Sequence, residues 1–164
     1  MADMSSTELV SEEREELPLE KAAEYLLVEC RTIVPGIQAL FGFQLVSVFS
    51  QRFSEELSHA EQELHLIAII LVVLAMALIM TPAAYHREMG GRVVTSTFLT
   101  VSAKLVVASM IPLALALCID FYLVARVILN SFLVPILSVI LFIICMTLWF
   151  VLPRCKGLQR LLGR

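Results

Sequence analysis

Residues 64–84 read LHLIAIILVVLAMALIMTPAA, a run almost free of charge. A bilayer-spanning helix needs roughly 20 such residues. Two further stretches, 99–124 and 127–152, have the same character, and 33–52 makes a fourth, weaker one. The late segments do not alternate polar and apolar faces as helices of a water-soluble bundle would. The reading is an all-α fold: an integral membrane four-helix bundle with both termini cytoplasmic and a short N-terminal amphipathic helix. Composition agrees. Of 164 residues, 59% are hydrophobic and only 16% charged, against about 25% charged in an average soluble domain. Mean hydropathy is +0.89.

Working outward from these runs divides the chain. Residues 1–17 are acidic and low in aromatics, and are expected to be a disordered tail. Residues 18–32 carry helical periodicity, with Leu19, Ala22, Ala23, Leu26 and Cys30 near one face and Glu20, Lys21 and Glu24 on another. They read as a pre-membrane amphipathic helix opened by Pro18. Its polar face is acidic, which disfavours anionic lipid and leaves the chain's own basic C-terminal tail as a docking alternative. Residues 33–152 form the transmembrane unit, with spans near 33–52, 64–84, 99–124 and 127–152. Residues 153–164 are the basic tail. No secretory signal is expected, because the first 30 residues are acidic where a signal would be basic. The first span then serves for insertion.

Four spans place both termini and the 85–98 loop on one side. That side carries Arg14, Lys21, Arg31, Arg87, Arg92, Arg154, Lys156, Arg160 and Arg164. The other has Arg52 and Arg126, so the positive-inside rule puts the termini in the cytoplasm. Trp149 and Phe150, Tyr85, and Phe121 with Tyr122 fall where interfacial aromatic belts belong. Ser58 followed by Glu61 forms a capping-box pattern. Gly90-Gly91 breaks the chain before Thr95 or Ser96, either of which can cap the third span. The third and fourth spans meet near Ala125–Arg126 in a tight hairpin.

Polar groups inside a bilayer need a protein partner or a cavity. They are Gln38, Gln44 and Ser47 in the first span, Lys104 and Asp120 in the third, and Asn130 and Ser138 in the fourth. Lys104 can snorkel to the headgroups. Asp120 is satisfied by Arg52, Arg126 or a protonated His65. The two charges are about 24 Å apart along one helix at 1.5 Å per residue, so they form no single site. Pro35 and Gly36 read as the start of the first membrane helix. Gln38 and Gly42 share one face, and Gln44, Ser47 and Gln51 make a second polar stripe. Packing with interhelical hydrogen bonds, a ligand or ion path, and a subunit interface are the readings they allow. Two stripes make the first helix the least lipid-exposed of the four. Pro112 and Pro135 lie within the third and fourth spans and are expected to kink them.

Chemistry is sparse. The sequence has no HExxH, Walker loop, GxGxxG or GxSxG. His59 and His65 fall outside and His86 inside, so the histidines do not cluster. No metal site, cofactor or nucleic-acid contact is expected, and no enzyme. Cys30, Cys118, Cys145 and Cys155 have no metal-ligand spacing, and no structural disulfide is expected.

PGIQALFGFQL (35–45), FSQRF (49–53) and TPAAYHR (81–87) resemble a family of small bacterial membrane proteins of unknown function. Its pattern is PGxQxLFxFxL, then FxxRF, then PAAxHR. The likeness covers Glu29–Arg87; the last two spans resemble the family only in hydropathy. It implies a four-helix protein of the bacterial inner membrane and implies no activity. Its pattern falls on Pro35, Gly36, Gln38, Phe41, Arg52, Phe53, Pro82, His86 and Arg87.

The expected function is non-enzymatic: self-association, or service as an accessory subunit of a membrane complex. The partners are then the lipid bilayer and a homo-oligomer or larger complex. The alternative is a small transporter or channel subunit with a polar path along the first helix. A third reading gives the acidic tail a soluble partner.

Overall fold

The computed structural model describes residues 18–88, 95–129 and 131–154. The 1–17 tail, Gly90-Gly91, Asn130 and all of the C-terminal tail from Cys155 on lie outside the described residues. Helix α1 runs over Leu19–Val48, a short α2 over Gln51–Glu56, α3 over His59–Glu88, α4 over Ser96–Leu129 and α5 over Leu133–Met146. A π turn at Thr147–Val151 and a 3-10 turn at Leu152–Arg154 complete the last helix. Among the described residues every element is helical.

Helices α3 and α4 form the central antiparallel pair, α1 packs mainly on α3, and α5 packs on α4. Along α3 the buried residues are His65, Ala68, Val72, Ala75, Ile79 and Pro82. Their spacing alternates three and four, the 3.5-residue repeat of a left-handed seam. The alanines at 68 and 75 are fully buried, as are Ser109, Ala114 and Ala116 on α4. Small side chains let two backbones approach where lipid offers no hydrophobic drive.

The same repeat runs through α1. Ala23, Leu26, Cys30, Ile33, Ile37, Leu40, Gln44 and Ser47 are buried or half-buried in succession. This seam crosses Pro35 without a break. Cys30 and Ile37, on either side of the proline, share one core with Val72, Ile79, Val106 and Ala116. The separate amphipathic helix expected over 18–32 is therefore absent; those residues are the first half of α1. Pro35 lies inside the helix, not at its start. It removes one backbone donor, but packing on both sides keeps the helix continuous across it.

The helix ends follow local chemistry. Ser58 and Glu61 form the capping box: the Ser58 amide and hydroxyl donate to the Glu61 carboxylate at 2.9 and 2.8 Å. Thr95 caps α4, its hydroxyl accepting from the Phe98 amide at 3.2 Å. The α4–α5 connection falls between Leu129 and Leu133 and not at Ala125–Arg126, because α4 stays helical to Leu129; the Ser131 hydroxyl accepts from the Leu133 amide at 3.3 Å where α5 begins. Pro135 is consequently the third residue of α5. No intrahelical donor is owed there, so it has no mid-helix bond to break. Pro112 lies inside α4 and is buried.

Four of these helices are long and apolar enough to cross a membrane. Their outer faces present Leu66, Ile67, Ile70 and Val73 on α3, and Val139, Ile140, Ile143 and Ile144 on α5. An apolar surface this continuous belongs in lipid. The chain is a multi-pass membrane protein. Helix α1 is not the most enclosed of the four. Only 11% of its most apolar window is buried, the same as the last helix, against 28% and 33% for α3 and α4. One seam faces protein and the rest of its circumference faces outward.

Candidate functional site

Three helices bring polar groups together near the end of the molecule that carries α2. Gln44 and Ser47 sit in the last two turns of α1, on its buried seam. His65 opens the seam of α3, and Asp120 faces them from α4. The Gln44 side-chain amide donates to one Asp120 carboxylate oxygen at 2.7 Å. His65 Nδ1 lies 3.6 Å from the other. His65 Nε2 lies 3.0 Å from the Gln44 backbone carbonyl and 3.1 Å from Ser47 Oγ. Ser47 Oγ donates to that same carbonyl at 2.7 Å.

These contacts fix where protons sit. A carbonyl only accepts, so Nε2 carries a hydrogen and donates to it. The Ser47 hydrogen is also directed at the carbonyl. The 3.6 Å between Nδ1 and the Asp120 oxygen is longer than a hydrogen bond, so the two side chains face each other without sharing one. Phe53 covers His65 edge-on, with ring centroids 5.2 Å apart.

One atom in the cluster is left over. Gln44 is 3% exposed, and its side-chain oxygen is buried without a hydrogen-bond partner. Beside the cluster opens a cavity of about 460 Å³. Gln44, Ser47, His65 and Asp120 form its polar part; Leu40, Phe43, Phe53, Leu57, Leu123, Val124, Val127 and Ile128 form the rest. Pockets of this size take small molecules.

The other expected residues are placed differently. Gln38 is exposed on α1, away from the cluster. Gly36 and Gly42 have no atom within 4 Å of where a Cβ would sit, so neither marks a close helix approach within this chain. Gln51 leaves the polar stripe because α1 ends at Val48 and α2 begins a new direction. Lys104 is exposed on α4, where its stem is free to extend. Arg52 is exposed on α2, and Arg126 lies 3.5 Å from Glu61. Asp120 is thus met by His65 and Gln44, not by either arginine. His65, expected outside, is buried in the cluster. At the opposite end Tyr85 stacks on Phe98 at 5.6 Å and His86 tilts against the same ring at 5.8 Å. Arg87 is exposed beyond them. Ser138 is buried and donates to the Val134 carbonyl at 3.1 Å. The Gln44–Asp120 bond joins residues 76 apart. What could have pointed to it was the three-four seam of α1, which carries Gln44 inward on the same face as Cys30 and Ile37.

Comparison with curated proteins and with solved structures gave no significant match. A family described as of unknown function, DUF6328, matches over residues 12–153. That is nearly the whole chain, all four long helices included, and the protein belongs to this family.

Proposed function

We propose that the protein acts without catalysis, by associating inside the membrane through the face of α1 that carries Gln38 and Gly42. Gln38 is the observation that carries this reading. It is exposed, and it lies seven residues past Arg31, the last charge before the span, so about 10 Å into the apolar stretch at 1.5 Å per residue. An amide at that depth has no water to bond and needs a donor and acceptor from another chain. Gly42, one turn on, has open space beside it and would admit a neighbouring helix closely. The neighbour is a second copy or another integral subunit. Both termini lie in the cytoplasm by the positive-inside rule, and the resemblance to small bacterial proteins favours the inner membrane.

A conduit along α1 is the weaker reading. Gln38 is on the outer face and Gln44 on the inner one, so the two do not line one path. Beneath the cluster the core is Cys30, Ile37, Val72, Ile79, Val106 and Ala116, a predominantly apolar stretch that disfavours an ion. The test is the mass of the protein in nanodiscs, together with whatever co-purifies from gentle detergent. A dimer or a defined complex that Gln38→Leu dissociates supports the proposal. A monomer without a companion, unchanged by Gln38→Leu, overturns it.

A further inference from the structure

We propose that the cavity beside Gln44 and Asp120 is a binding site for a membrane-dissolved lipophilic alcohol, with its hydroxyl on the polar cluster and its hydrocarbon body against the surrounding apolar wall. Three observations carry this. The cavity holds about 460 Å³, within the range of small-ligand pockets. Its rim residues Phe43 (77% exposed), Val124 (60%) and Ile128 (72%) face the lipid side, so a solute reaches it from within the bilayer.

The third observation is the imbalance of the polar cluster. One Gln44 amide hydrogen and those on the Ser47 hydroxyl and His65 Nε2 are directed at oxygens within the cluster. The Gln44 side-chain oxygen has no donor, and Asp120, 19% exposed, keeps acceptor capacity beyond its two contacts. A carboxylate accepts up to about four hydrogen bonds. The unmet groups are therefore mainly acceptors, which a hydroxyl can serve and an anionic head cannot. The wall around them is apolar, where a neutral hydroxyl is favoured over a charged ammonium. The Gln44 oxygen is covered, so the ligand hydroxyl reaches it with a rotation of that side chain.

The test uses full-length protein in nanodiscs and a diazirine-bearing long-chain alcohol as photoprobe. Labelling is expected on peptides containing Phe43 and Val124. The unlabelled alcohol is expected to compete about tenfold better than its methyl ether, the worth of one good hydrogen bond. The matching amine and acid compete no better than the ether. Gln44→Met removes the preference for the hydroxyl. Val124→Trp, a change at an exposed rim position that leaves the core untouched, blocks labelling. Gln38→Leu leaves labelling intact, which separates this site from the association surface. Labelling spread evenly over the lipid-facing helices overturns the proposal. So does competition indifferent to the hydroxyl, or a preference for the amine.

Discussion

Gln44 holds two helices at once. Its amide reaches Asp120 on α4, and its own backbone carbonyl receives His65 from α3. Removing the side chain with Gln44→Leu leaves the carboxyl of Asp120 with one partner fewer in a low-dielectric site. Interhelical hydrogen bonds in membranes contribute about 0.6–1.7 kcal/mol. Gln44→Leu is expected to lower stability by about that amount, read from the midpoint of surfactant-induced unfolding. Asp120→Leu is expected to destabilise as well. Because the two residues touch, the double variant should destabilise less than the two single changes added together. Additive effects would show that the contact carries nothing. His65→Phe keeps the ring against Phe53 but loses both nitrogen contacts, and is expected to resemble Gln44→Leu in the same assay.

The seams belong to the scale of the helix. Ala75 is fully buried on the seam of α3, so Ala75→Leu should overpack the core and destabilise by about 1–3 kcal/mol. Leu74, one residue away and exposed, should tolerate alanine within about 0.5 kcal/mol. Thermal unfolding in one detergent compares the two directly. The four apolar runs, the Ser58–Glu61 cap and the Thr95 cap were legible in the sequence, because hydropathy and capping are local. The course of α1 was not. Pro35-Gly36 reads as a helix start in isolation, and only packing of Cys30 and Ile37 against the same core carries the helix through it. The α4–α5 turn was misplaced because Arg126 looks like an interfacial stop. In the fold Arg126 lies beside Glu61 and the helix continues to Leu129. Nor could apolar periodicity choose between the faces of α3, since nearly every residue is hydrophobic. The small residues at 68 and 75 were the remaining signal. The cluster was half legible: Gln44 and Ser47 show as a stripe and His65 as one of three partners for Asp120, but pairing across 76 residues is a tertiary fact.

At the scale of the molecule, α3 and α4 form a packed pair while α1 and the last helix keep most of their surface outward. That asymmetry separates two kinds of glutamine. Gln44 points into the protein and serves the fold; Gln38 points away and is free to serve a partner. Gln38→Leu is accordingly expected to leave unfolding midpoints within about 0.5 kcal/mol of the parent while changing the assembled mass. A loss of stability comparable to that of Gln44→Leu would place Gln38 within the fold instead.

The most direct measurement is cysteine cross-linking in native membranes, scanned one residue at a time along 35–44 in a chain whose own four cysteines are replaced. Adducts peaking at positions 35, 38 and 42, and absent at 37 and 44, are the predicted result. Uniform weak reactivity along the scan, or no adduct at position 38, would contradict association through this face.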